Sequence, residues 1–93
     1  MRLTTEEIAS IKSVIYAFDS RAQIYLFGSR VHDDKKGGDI DLFILSEKLT
    51  PRDTSKIRIR LEDELGLRRI DILIRKNLKN AFARMVYDEG VLL

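Results

Sequence analysis

The sequence has no cysteine, one histidine, one proline and no apolar run near the roughly 20 residues of a membrane-spanning helix. Each shortage narrows the field. Without cysteine there are no disulfides and no thiolate metal sites, which suits a reducing compartment, so cytoplasmic localisation is the expectation. The opening stretch MRLTTEEIASIK carries acids and lacks a long apolar core, and it does not read as a signal peptide. A concentrated basic stripe is also lacking. Net charge is only +2 with a pI of about 9, a balance that argues against direct nucleic-acid binding and suits a triphosphate or an acidic partner. Repeats, linkers and low-complexity segments are missing too.

What is present fits one small folded domain. The 93 residues, 44% hydrophobic and 34% charged, are read as a single domain over 1–93. A chain of this size buries only about 60 to 65% of its unfolded surface, a thin margin that favours a docking partner. Thr4 and Glu7 have the spacing of a capping box, and Ile8, Ile11, Ile15 and Phe18 recur at helical spacing, predicting a first helix to about Asp19. Ile24 to Phe27, closed by Gly28, reads as a buried strand, and Val31 to Gly38 as a loop. Asp39 to Ile44 reads as a second strand. Thr50-Pro51 opens a second helix with Ile57, Leu61 and Leu65 on one face and Gly66 at its end. Arg69 to Ile74 alternates as a third strand. Asn77 is expected to begin a last helix, with Leu78, Phe82, Met85 and Val86 inward. The order is α-β-β-α-β-α, an α/β (α+β) domain with a small mixed sheet and flanking helices.

The acids carry the chemical information. Side chains alternate along a strand, so Asp39 and Asp41 share a face opposite Ile40, Leu42 and Ile44. Asp71 likewise sits opposite a row of Ile70, Ile72 and Ile74. If the second and third strands are neighbours, three carboxylates converge. Such a cluster repels itself, and a hard divalent cation relieves the repulsion. Two ions about 3.5 to 4 Å apart clamp the oxygens of an in-line phosphoryl displacement. A lone D-x-D is as well explained by a solvated strand face, but an Asp within RRIDILI is harder to explain that way. Gly28-Ser29 supplies a tight turn and amides suited to phosphate.

Taken together, Gly28-Ser29, nine intervening residues, Asp39-Ile40-Asp41 and a later Asp71 resemble the signature of the DNA polymerase beta nucleotidyltransferase superfamily. The stretch YLFGSRVHDDKKGGDIDLFIL is most similar to the minimal nucleotidyltransferases, the MNT proteins, and the resemblance covers nearly the whole chain. It implies the polymerase beta-like fold, with Asp39, Asp41 and Asp71 as catalytic and metal-holding residues, two Mg²⁺ ions, and ATP as substrate. It also implies Gly28, Ser29 and Arg30 at the triphosphate. The pattern departs at Val31 and Gly38, where many MNT proteins carry a small residue and a serine; Gly38 removes one hydroxyl from the phosphate site.

Larger members surround this core with domains that bind the acceptor, so a domain this small is expected to use an acceptor that brings its own surface. MNT proteins are paired with HEPN-domain toxins, and the resemblance implies transfer of AMP from ATP to a tyrosine of a partner HEPN ribonuclease. The alternative is a non-catalytic antitoxin that neutralises its partner by complex formation, for which the apolar tail YDEGVLL is a candidate surface. His32, Lys35 and Lys36 read as solvated loop residues, and Glu62, Asp63 and Glu64 interrupt the basic run of Arg58, Arg60, Arg68 and Arg69. Tyr25, Phe82 and Tyr87 read as core or near-core aromatics.

Overall fold

The computed structural model describes residues 3–28, 40–66 and 69–93. Helix α1 spans Thr5–Phe18 and is started by the Thr4–Glu7 capping box, in which each side chain accepts from the other residue's backbone N–H. Strand β1 is Gln23–Phe27 and β2 is Ile40–Leu45. One 3₁₀ turn over Pro51–Asp53 leads into α2, Thr54–Leu65. Pro51 thus opens this helical stretch through a tighter turn before the α-helix proper, a place where its missing N–H costs nothing. Gly66 stops α2 with a φ of +86°. Strand β3 is Ile70–Arg75, α3 is Ala81–Glu89, and β4 is Val91–Leu92.

The four strands form one sheet in the order β3-β2-β1-β4. β1 runs antiparallel to β2 and β4, while β2 and β3 are parallel. The sheet is mixed and β2 is interior, covered on both faces. Ile40, Leu42 and Ile44 face α1 and α2 in a core that also holds Ile11, Ile15, Ile57 and Leu61. Phe43 faces the other way, into a smaller cluster with Tyr25 and the Ala83 and Val86 of α3. Adjacency of the second and third strands, on which convergence of the acids depends, is therefore present.

Three expectations are corrected. The last helix is capped by Asn80, whose side chain accepts from the N–H groups of Phe82 and Ala83, and it starts at Ala81. Asn77 instead accepts from Lys79 in a local turn, so two asparagines with the same sequence signal divide the work. Val86 is buried and Leu78 packs against the cluster beneath α3 as expected, but the other inward residue of the helix is Ala83. Phe82 and Met85 flank this inward stripe at 50% and 47% exposure, and Tyr87 is also exposed, although it meets the ring of Tyr25 edge-on. Finally, the expected order ended with the last helix, whereas a fourth strand follows it: Val91 and Leu92 pair with Leu26 and Tyr25, and Leu93 N–H donates to Ile24 O. A two-residue strand is too short to show alternation in sequence.

One buried polar contact fastens the turn after α1 to the turn after β2. Ser46 Oγ donates to Asp19 Oδ2 at 2.6 Å, and the Arg21 N–H donates to Oδ1 at 3.0 Å. Ser46 Oγ in turn accepts from the N–H groups of Lys48 and Leu49. The Ser46 bond, helped by the Arg21 amide, holds the Asp19 carboxyl below its ordinary 3.8 against the opposing effect of burial. A depressed folded-state pKa contributes stability that is complete above the unfolded value and lost as pH falls through the folded one. Acid titration of the wild type, followed by urea unfolding at each pH, is expected to lose this contribution below about pH 4, and Asp19→Asn to lack that part of the slope. At pH 7, Ser46→Ala should cost about 1 to 3 kcal/mol, because it strips a partner from a carboxylate and two amides.

Candidate active site

The site follows from two strand periodicities and one register. Across the sheet, Phe27 of β1 lies opposite Asp41 of β2, and Asp41 lies opposite Asp71 of β3. The next row down is Tyr25, Phe43 and Leu73, apolar and part of the cluster beneath α3. The two acids therefore stand on the α3 face of the sheet, one row beyond its apolar cover. Neighbouring strands lie about 4.8 Å apart, so in-register residues with the same facing bring their carboxylates side by side. Asp41 is half-buried and the Asp71 side chain is 49% exposed, so the pair borders solvent.

Gly28 closes β1 directly against Asp41. Its φ of +76° belongs to the left-handed region that side chains disfavour. A Cβ added there would collide with Asp41 Oδ2 and come within 3.2 Å of Asp41 Cγ. Both backbone and space thus demand glycine, and what they leave is a smooth cradle for the carboxylate. The combination makes the strand end a place where the backbone and an acid approach the same point in space.

Asp71 has a cationic neighbour that sequence reasoning did not assign to it. Arg69 Nε lies 3.6 Å from Asp71 Oδ2, with the arginine side chain 73% exposed. The signal was available in the i, i+2 spacing, which puts residues 69 and 71 on one face of an extended chain. An ion pair this exposed contributes about 0 to 1 kcal/mol, so it adds little to the stability of the fold.

Ser29, Arg30 and Asp39 lie outside the described residues, as do His32, Lys35, Lys36 and Arg68. Of the expected site residues the structure places Gly28, Asp41 and Asp71, and it brings those three together. Among the described residues no group of three or more His, Cys, Asp or Glu side chains assembles into a cation cage. A cavity of about 540 Å³ at the opposite end of the sheet is lined by Gln23, Leu45, Ser46, Lys48 and Lys76. Its buried acid, Asp19, is already satisfied by Ser46 and the Arg21 amide. The chemistry is better placed at the carboxylate row.

Among protein families, the description Polymerase beta, Nucleotidyltransferase matches residues 9–93 of the chain. No curated protein matches it.

The contact between Gly28 and Asp41 predicts a coupled pair. Gly28→Ala is expected to cost about 1 to 2 kcal/mol from its positive φ alone, with the collision added on top. Removing the obstacle with Asp41→Ala should return the collision share, so the double variant is less destabilised than the two singles together, by about 0.5 to 3 kcal/mol in urea unfolding. Simple additivity would mean that the carboxylate does not rest on Gly28.

Proposed function

Because the chain belongs to the polymerase beta nucleotidyltransferase family, matched over residues 9–93, we propose that it transfers AMP from ATP to a tyrosine hydroxyl of a partner HEPN ribonuclease, acting as that toxin's antitoxin. Nucleotidyl transfer is the family's chemistry. The nucleotide, the acceptor and the antitoxin role are our reading, and they rest on the likeness of the Tyr25–Leu45 stretch to minimal nucleotidyltransferases.

The observation that carries the chemistry is the in-register pairing of Asp41 with Asp71, with Gly28 cradling the first. These residues fit a hard divalent cation. They offer oxygen donors only, on one face, at a solvent border, and their mutual repulsion favours a cation between them. In this reading Mg²⁺ would be held by Asp41 and Asp71, with Asp39, two residues ahead of Asp41 in the sequence, as the third acid. Mg²⁺, when bound, offsets the negative charge of the triphosphate and of the transition state.

The chain's own groups do the rest. Gly28, lacking a side chain, lets a phosphate approach the end of β1, where Ser29 offers a hydroxyl and Arg30 a guanidinium. Asp71, whose side chain is 49% exposed, is the acid assigned to take the proton of the incoming hydroxyl. The tyrosine oxygen forms a bond to the α-phosphorus, the bond between the α-phosphorus and the bridging oxygen breaks, and pyrophosphate leaves with that oxygen. No helix of the described residues is long and apolar enough to cross a membrane.

Intact-mass measurement tests the proposal. Protein, Mg²⁺, ATP and the HEPN partner should yield partner molecules heavier by one or more AMP units. Asp41→Asn and Asp71→Asn should each slow that gain by about 10²-fold or more. A tight complex with no mass gain from any nucleoside triphosphate would replace catalysis with neutralisation by occlusion.

A further inference from the structure

Strand β3 ends the sheet, and its outer edge is unusually apolar for an edge. Ile72 and Leu73 lie at its centre on opposite faces, packed against the two core clusters but each only partly buried. Their register partners on β2, Leu42 and Phe43, are completely buried. No strand lies beyond β3 among the described residues. Edge strands are ordinarily shortened, bent or charged to prevent further pairing; here six residues run IDILIR with charge only at Asp71 and Arg75.

The hydrogen-bonding direction of this edge is fixed. Ile40 N–H donates to Arg69 O and Ser46 N–H donates to Arg75 O, so the odd-numbered residues of β3 face β2. In a parallel ladder the N–H and C=O groups of Ile70, Ile72 and Ile74 then point outward. The Ile74 carbonyl confirms that direction by accepting from Arg75 Nη1 at 2.8 Å, a bond the side chain makes by folding over its own edge.

We propose that this edge pairs antiparallel with β3 of a second copy of this chain, in the register that sets Leu73 opposite Leu73 and Asp71 opposite Arg75. Only even residues can pair with even residues across the outer edge, which leaves two central registers about a two-fold axis. One sets Ile72 against Ile72 and brings Arg69 against Arg75, a like-charge contact. The other sets Ile72 against Ile74, gives each Asp71 an arginine from the other copy, and stacks Leu73 on Leu73. Charge decides for the second. On pairing, the Ile74 carbonyl exchanges the Arg75 guanidinium for the Ile72 N–H of the second copy. The freed arginine reaches Asp71 across the interface, and Ile72 and Leu73 become buried like their β2 partners. The result is one continuous eight-stranded sheet, two copies of the four strands here, in which each carboxylate row borders a residue of the other copy.

The chain has no cysteine, so one introduced thiol reports the register. In the proposed pairing, residue 73 meets its own equivalent at a non-hydrogen-bonded position, with Cα atoms about 4.5 Å apart, within disulfide range. Leu73→Cys, mildly oxidised, should run as a covalent dimer on a non-reducing gel. Ile72→Cys, which faces Ile74 of the second copy, should not. Sedimentation of the unaltered protein at tens of micromolar should give twice the 10.8 kDa of one chain. Asp71→Arg and Arg75→Asp should each halve that mass, and the double exchange should restore it. A wild-type monomer throughout, equal cross-linking at residues 72 and 73, or a dimer indifferent to both charge reversals would overturn the proposal.

Discussion

The pairing of β2 with β3 is the constraint on which the rest of the structure depends. β2 is covered on both faces, with Ile40, Leu42 and Ile44 against α1 and α2 and Phe43 against α3. A slip of one residue along β3 would expose that strand's isoleucine row and turn Asp71 toward the core, at a cost far above any local preference. Packing of the apolar rows therefore sets the register, and the register sets Asp41 beside Asp71. The acids gain nothing from their own proximity. They are held together by the isoleucines behind them.

The two ends of the sheet differ in how far their polar groups are satisfied. At one end, Asp19 and Ser46 close a fully hydrogen-bonded contact that ties two turns together and leaves no group of the pair seeking a ligand. At the other, Gly28, Asp41 and Asp71 border solvent, with a backbone conformation that only glycine tolerates well and two like charges side by side. Those are features that a fold accepts only where the rest of it is well determined. The chain belongs to the polymerase beta nucleotidyltransferase family, and the use proposed for this strained end is a cation-dependent transfer, which needs clustered acids and a bare turn in the same place.

The tail and the last helix show how a small domain makes use of short segments. Gly90 follows α3 so tightly that an added Cβ would stand 3.1 Å from Leu26 O, and Val91 then joins the sheet at once. Two strand residues and one terminal amide suffice to cover the free side of β1. The opposite edge, β3, has no such cover among the described residues. The asymmetry between a covered and an open edge is a property of the whole sheet, invisible in either strand alone.

How much of this was legible beforehand depends on the range of the interaction involved. The sequence by itself determined α1 through Thr4, Glu7 and its isoleucine stripe, the stop of α2 at Gly66, the three longer strands, and the facing of Asp41 and Asp71 relative to their isoleucines. All of these follow from contacts within a few residues, where capping and alternation are written directly in the order of side chains. Tertiary structure alone decided that β2 and β3 are parallel neighbours in register, that Gly28 lies under Asp41, and that Phe82 and Met85 flank the inward stripe of α3 instead of filling a core. It also decided the strand at Val91–Leu92, which is too short to carry a period. Those outcomes depend on which surfaces meet across the fold, and the pairing of distant surfaces is set by burial of the whole core at once.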